Sequence, residues 1–324
     1  MIARSNGKGA TEIYSLASGH AELYERFCNL INTVFAIYAS NHKYRQANFK
    51  EFGYYFDPRE KEVSYIDAIS ASPRIGYAIN GVTDTKGKFQ KFYTDLIDNF
   101  IAVPYEGMNM PEPKWLVPEL VILASGSDGM AAGNTLQEAL VQGTAEIFEH
   151  YIWNNIYTHQ DKFYALDIDK IEIPKYLRSM IDRMRAEGLK LHFIDFSYNY
   201  HIPVLGLFTI NPDNCVSFLN LGASPVFDIA LERIITETYQ GRDCIKEREK
   251  YFMLPSRNYS DVDAQLLNMT CITQRPCYLE DMLTNAELKD NYNTEVFLEN
   301  LNYSNEELYN YFVKLENKLG WHVY

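Results

Sequence analysis

Two pairs of glutamates carry the first chemical signal in this chain. Glu22 and Glu25 lie in GHAELYERF (19–27), and Glu146 and Glu149 lie in GTAEIFEHY (143–151). Of the nine aligned positions four are identical and four are conservative exchanges, so the second segment reads as a repeat of the first. A weaker echo, TETYQGR (236–242), repeats the acid–aromatic spacing as Glu237, Tyr239 and Gln240. On a helix, residues three and four apart share a face. Each pair therefore points one way, with Ser18 one turn before Glu22, Glu138 two turns before Glu146, and Arg233 four residues before Glu237. Taken singly, Glu22/Arg26, Glu146/His150 and Arg233/Glu237 read as surface pairs worth a few tenths of a kcal/mol each. Three helices with the same flanking aromatics favour chemistry instead. Carboxylates gathered in one cleft repel unless cations sit among them, and magnesium takes one or two carboxylates each, completing its shell with phosphate oxygens and water. A magnesium–nucleotide site is the expectation.

Lys8, in SNGKGAT, adds a basic group between two glycines. It is not a P-loop lysine, because glycine follows it and no glycine stands at the required position upstream. Gly7 and Gly9 would still let the backbone approach a phosphate. No GxGxxG after a strand, no GxSxG and no HExxH or paired-histidine site is present. His20 and His150 flank the acidic pairs, and His20 is expected to pack.

The elements that must position these groups follow from periodicity and punctuation. A long helix is expected over 11–39, an irregular stretch over 40–70, and either helix or strand over 87–102. Pro111, Pro113 and Pro118 mark a loop before an apolar run, 120–124, that reads as a buried strand. SGSDG (125–129) turns the chain into a second long helix, with Asn134 or Thr135 as its N-cap. Further helices are expected over 175–187, stopped by Gly188, over 228–242, and over 305–318. Strands are expected over 189–197, 202–210 and 215–221, with a turn at 211–214. This blockwise order favours an α+β fold.

Composition bounds the rest. The 324 residues are 47% hydrophobic with a net charge of −13 and a pI near 5.0. An acidic chain argues against sequence-independent nucleic-acid binding. No run approaches the roughly 20 apolar residues of a membrane helix, and MIARSNGKG has no signal-peptide core. The five cysteines (Cys28, Cys215, Cys244, Cys271, Cys277) form no CxxC pair and read as reduced thiols, which points to the cytoplasm. The last residues, GWHVY, look like a strand beginning, and Lys8 stands close to the N-terminus. A fragment or short form of a longer protein is therefore the expectation.

The segments SNGKGATEIYSLASGHAELYERF, GSDGMAAGNTLQEALVQGTAEIFEHY and GASPVFDIALERIITETYQGR resemble, in order, three motifs of the YcaO-domain family, in particular its free-standing enterobacterial type. The resemblance implies one YcaO domain over 1–324, lacking N- and C-terminal extensions, with long helices on mainly antiparallel sheets. It implies ATP bound without a P-loop, through Mg2+ held by glutamates. By motif position, Lys8, Ser18, Glu22, Asn134, Glu138, Glu146, His150, Arg233, Glu237, Gln240 and Arg242 would bind the nucleotide. Glu22, Glu25, Glu138, Glu146, Glu149 and Glu237 would hold the metal. His150 stands where the family commonly has arginine, a shorter and only partly charged group near neutral pH. The implied reaction is ATP-dependent O-phosphorylation of a peptide-backbone amide, giving an azoline when a Cys, Ser or Thr side chain attacks and a thioamide when sulfide does. The implied partners are a peptide or protein substrate, a leader-binding or sulfur-donor protein and a second copy of the chain, with no nucleic acid and no membrane. Two other readings are an accessory protein for ribosomal-protein methylthiolation and a nucleotide-binding scaffold without turnover.

Overall fold

Thr11 starts the first helix: its hydroxyl accepts the Tyr14 N–H at 3.3 Å and its carbonyl accepts the Ser15 N–H, the usual way a cap relieves unpaired N–H groups. In a computed structural model of the chain this helix, α1, spans Glu12–Tyr38. There follow β1 (Lys61–Val63), α2 (Tyr65–Ser70), β2 (Phe100–Tyr105), β3 (Lys114–Leu116), α3 (Leu136–Thr158), β4 (Tyr164–Leu166), α4 (Lys175–Ala186), β5 (Lys190–Asp195), α5 (Ser197–Tyr200), β6 (Val204–Asn211), β7 (Val216–Ala223), α6 (Phe227–Glu237), β8 (Glu287–Lys289) and α7 (Asn305–Leu319). The structure describes residues 7–38, 59, 61–71, 100–118, 120–121, 127–158, 163–212, 216–240, 286–299 and 302–324. Two compact units interleave along the chain: Met1–Glu22 with Gly133–Tyr311, and Leu23–Ala132 with Phe312–Tyr324.

The first unit is built on a five-stranded sheet of order β7-β6-β5-β4-β8. Neighbours from β7 to β4 are antiparallel, and β8 alone runs parallel to β4. β6 is buried along almost its whole length, hence its unbroken apolar run VLGLF. Leu205 and Leu207 face a core made with Leu177, Ile181 and Met184 of α4 and Phe227, Leu231 and Ile234 of α6. Strand alternation sends Gly206 and Phe208 to the other face. There a Cβ on Gly206 would meet the Phe196 ring at 2.5 Å. α3 packs against β6 and β7. Asp195, at the end of β5, is buried and accepts the N–H groups of Ser197 (2.8 Å) and Asn293 (3.0 Å), which ties the β8 segment to the sheet.

The second unit holds the antiparallel sheet β1-β2-β3. Its C-terminal residues do not form the strand expected after Gly320. Gly320 takes φ +68, Trp321 N–H returns to the Glu316 carbonyl at 2.9 Å, and Val323 O accepts from Met108 N–H. This is helix-end chemistry, in which glycine's left-handed backbone closes the last turn.

The α+β class and the mainly antiparallel sheets are as expected, and the long helices fall within a residue or two of their expected starts. The run 120–124 is a correction. Leu120 and Val121 are helical, both N–H groups bonding to the Val117 carbonyl, and 122–124 lie outside the described residues. Pro118 explains the reversal, since its fixed φ suits the first position of a helical turn, while a short apolar run has no period of its own. The supposedly irregular 40–70 contains β1 and α2, and the undecided 87–102 ends in β2. The short strands β4 and β8 were not anticipated at all. Four of the five cysteines lie outside the described residues, and only the backbone of Cys28 is described.

Candidate nucleotide site

The site begins with how Lys8 is held. Gly7 and Gly9 lie so close over the first turns of α1 that an added Cβ would sit 1.7 Å from the Ser15 carbonyl oxygen and 2.7 Å from Tyr14 Cβ. Ser15 Oγ donates to the Gly7 carbonyl at 3.1 Å, and Lys8 N–H donates to Ser18 Oγ at 3.3 Å. The glycines thus serve close packing, and the loop they permit carries Lys8 to α6, where its Nζ pairs with Glu237 Oε2. The residue just past α6 reaches back: Gln240 Nε2 lies 3.4 Å from Glu22 Oε2 on α1. Lys8, Ser18, Glu22, Glu237 and Gln240, distant in sequence, are neighbours here.

α3 supplies the other side. Thr135 rather than Asn134 is its cap, the Thr135 hydroxyl accepting Glu138 N–H at 3.1 Å. Glu138 turns back to accept the Asn134 N–H at 2.9 Å and its side-chain amide at 3.2 Å. Further along, Glu149 comes close to the Ala223 backbone at the end of β7, which favours its charged form. Burial pushes its carboxyl up to about 7, Lys8 and Arg233 pull it down, and Glu237 pushes it up as a like charge. Arg233 comes from α6, which lies close on β7 because residue 222 is glycine: a Cβ there would meet Ala230 O, Arg233 Cβ and Ile234 Cγ2, all at 2.9 Å. The guanidinium donates to the Ala223 carbonyl at 2.9 Å and to Gln142 Oε1 on α3. Burial lowers its hold on the proton, while Glu149, Glu146 and Glu237 strengthen it. His150 Nε2 lies 3.9 Å from Glu146 Oε1, one turn apart on α3.

Of the anticipated residues, the structure therefore gathers Lys8, Ser18, Glu22, Glu149, Arg233, Glu237 and Gln240, with Glu146 acting on Arg233 and His150 beside Glu146. Asn134 and Glu138 bond to each other at the start of α3, and among the described residues none of their hydrogen bonds reaches that group. Glu25 falls on the part of α1 that belongs to the second unit, and Arg242 lies outside the described residues. His20 is exposed rather than packed, its Nδ1 2.8 Å from the Leu16 carbonyl of its own helix. Sequence reasoning missed Gln142, Ser15 and Ala223. Gln142 had a signal, since it stands one turn before Glu146 on the same face.

Two carboxylates, Glu149 and Glu237, are interleaved here with two fixed cations, Lys8 and Arg233. The donors are hard oxygens, the kind magnesium prefers. Among the described residues no three His, Cys, Asp or Glu side chains are gathered closely enough to hold an ion by themselves. Bases for phosphate and acids for a divalent cation stand side by side.

Comparison with known proteins agrees in kind. Residues 6–324 match the family described as YcaO cyclodehydratase, ATP- and Mg2+-binding. An uncharacterized protein of Haemophilus influenzae is 30% identical over 267 residues, covering 80% of this chain and 44% of that protein. The ribosomal protein S12 methylthiotransferase accessory factor YcaO of Escherichia coli is 28% identical over 254 residues, covering 74% and 41%. The chain thus spans less than half the length of these curated relatives. Among solved structures, a heterocyclase in complex with substrate and cofactor superposes with a TM-score of 0.60 at 17% identity, over 98% of this chain and 41% of that one. YcaO from Methanopyrus kandleri bound with AMPPCP and Mg2+ gives 0.54 at 16%, over 97% and 71%. At such identities the structural likeness speaks for the fold.

Proposed function

Because the chain belongs to the YcaO family of ATP- and Mg2+-binding proteins, we propose that it activates a peptide-backbone amide by ATP- and Mg2+-dependent O-phosphorylation, giving an azoline or a thioamide in a ribosomally made peptide or protein. The observation that carries this reading is the placement of Lys8 and Arg233 among Glu149 and Glu237. Lys8 and Arg233 neutralise polyphosphate oxygens, and Ser18 keeps the Lys8 backbone in place. Glu22, Glu146, Glu149 and Glu237 would hold the metal, and Glu25 and Glu138 are assigned to it by motif position alone. Asn134, His150, Gln240 and Arg242 complete the nucleotide contacts. When bound, Mg·ATP supplies the phosphoryl group that turns the amide oxygen into a phosphate leaving group. Glu149, whose carboxyl burial holds at about 7, would give up its proton on taking a cation. A leader-binding or sulfur-donor protein, a homodimeric assembly and a cytoplasmic setting belong to the same proposal.

The 28% identical relative favours a second reading, an accessory role in ribosomal-protein methylthiolation with retained nucleotide binding. Calorimetric titration of Mg·ATP into wild type and a Glu22→Ala/Glu146→Ala variant tests the shared part. The wild type should bind, and the variant should lose at least tenfold in affinity. Equal binding by both sinks the site. ADP release dependent on a Cys-containing peptide then supports the first reading. Binding without such turnover, together with loss of ribosomal-protein methylthiolation in a deletion strain, supports the second.

A further inference from the structure

We infer that Gln142 is a positioning residue of the nucleotide site, whose neutral amide oxygen aims the Arg233 guanidinium at the polyphosphate while adding no countercharge of its own. The inference rests on the site assignment above. Three observations lead to it.

First, both terminal nitrogens of Arg233 are held by neutral acceptors. Nη1 donates to the Ala223 carbonyl and Nη2 to Gln142 Oε1. The glutamates around Arg233 act on it through charge at range. A guanidinium has five N–H donors, so two fixed bonds orient the fork and leave three for a ligand. Second, Ala223 lies between the two groups, since its carbonyl takes Arg233 and its backbone is near enough to Glu149 to favour the charged carboxylate. A shift of Arg233 is therefore felt at Glu149, so Gln142 sets the geometry of the acidic side as well.

Third, the same device occurs at the equivalent position of α1. Adding 124 to each number of the first copy aligns Glu22 with Glu146 and Ser18 with Gln142. Ser18 accepts the backbone N–H of Lys8 as Gln142 accepts the side-chain N–H of Arg233. In each copy, the residue one turn before the first glutamate is a neutral oxygen that holds a basic residue. A carboxylate at 142 would keep the hydrogen bond and spend the positive charge on itself. The choice of an amide is then a requirement for binding an anion.

The test is Mg·ATP affinity by calorimetry for wild type, Gln142→Met, Gln142→Glu, Arg233→Ala and the Gln142→Met/Arg233→Ala double variant, with melting temperature measured alongside. Gln142→Met should weaken binding about tenfold or more, the scale of a hydrogen bond to a charged group. Gln142→Glu should weaken it at least as much while melting no lower than wild type, which a purely structural partner for Arg233 would not do. In the Arg233→Ala background, Gln142→Met should cost nothing further. Should Gln142→Met destabilise the fold, Gln142→Glu alone decides. Binding by Gln142→Glu within about twofold of wild type overturns the inference and leaves the site standing. A wild type that binds no Mg·ATP overturns both.

Discussion

The two glutamate segments look like copies in sequence and live in different surroundings. In α3, Phe148 is fully buried, with Gly143, Thr144, Ala145 and Ile152 buried beside it. In α1 the matching aromatic, Tyr24, is 67% exposed, His20 is exposed, and Gly19 and Ala21 are only half-buried. The helix starts, by contrast, are built alike. Thr11 and Thr135 both cap, each eight residues before its glycine (Gly19, Gly143), and Gly9 and Gly133 both fold over the first turn, closest to Tyr14/Ser15 and to Glu138/Ala139. Repetition has kept the geometry that sets the glutamates at the same turn, and let the aromatic between them go its own way. A matching aromatic in a repeat is thus no guide to its burial.

The largest effect follows from that aromatic. Phe148→Ala should cost about 3–5 kcal/mol, as expected for emptying a buried ring. Tyr24→Ala should change stability by less than about 0.5 kcal/mol. Urea denaturation of both variants measures the contrast. A Tyr24→Ala cost above about 1 kcal/mol would break it, by showing that the α1 copy also anchors a core.

Next comes the acid. Glu149 carries a carboxyl at about 7 in the folded chain against 4.5 ordinarily. The folded state therefore binds this proton more tightly than the unfolded state does. In metal-free solution its contribution to stability is intact below pH 4.5 and falls as pH rises towards 7, by at most about 3 kcal/mol. Glu149→Gln should flatten this part of the stability profile between about pH 5 and 8, and Mg·ATP should flatten it in the wild type. An unchanged slope in Glu149→Gln would show that this carboxyl does not set the profile.

These contrasts mark what the sequence makes legible. The long helices announce themselves through caps and period, and the glutamate pairs through i, i+3 spacing, because both are local. Gly188 predicted the end of α4 for the same reason, taking φ +86 where no L side chain sits easily. Three-residue strands such as β4 and β8 are too short to show alternation, and they form because β5 and Asp195 hold them. The Lys8–Glu237 pair spans 229 positions and the Arg233–Gln142 contact 91. Neither has a sequence signal beyond the chemistry of its members. Lys8 was legible as a candidate through its flanking glycines together with its place in the first of the three motifs. Gln142 is marked only by its place one turn before Glu146, and its partner Arg233 becomes visible only with α6 lying against β7 at Gly222.

The smallest prediction concerns the feature the two copies share most closely. Thr11 and Thr135 each satisfy one N–H of the first turn, at 3.3 Å and 3.1 Å, so alanine at either should cost about 1 kcal/mol. The caps differ in the residue three places on. In α3 that residue is Glu138, whose carboxylate also accepts the Asn134 N–H and lies at the positive end of the helix. In α1 it is Tyr14, which cannot return the bond. Thr135→Ala leaves Glu138 still holding Asn134, so part of the N-terminal order survives, and Glu138→Ala removes that remaining half. Thr11→Ala removes the α1 cap together with its hold on Tyr14. The Thr135→Ala/Glu138→Ala pair should therefore be non-additive by a few tenths of a kcal/mol, while Thr11→Ala/Tyr14→Ala should add. Denaturation of the two double variants against their singles measures this. Additivity at both helix starts would mean that α1 and α3 are capped by threonine alone and are, in this respect, true copies.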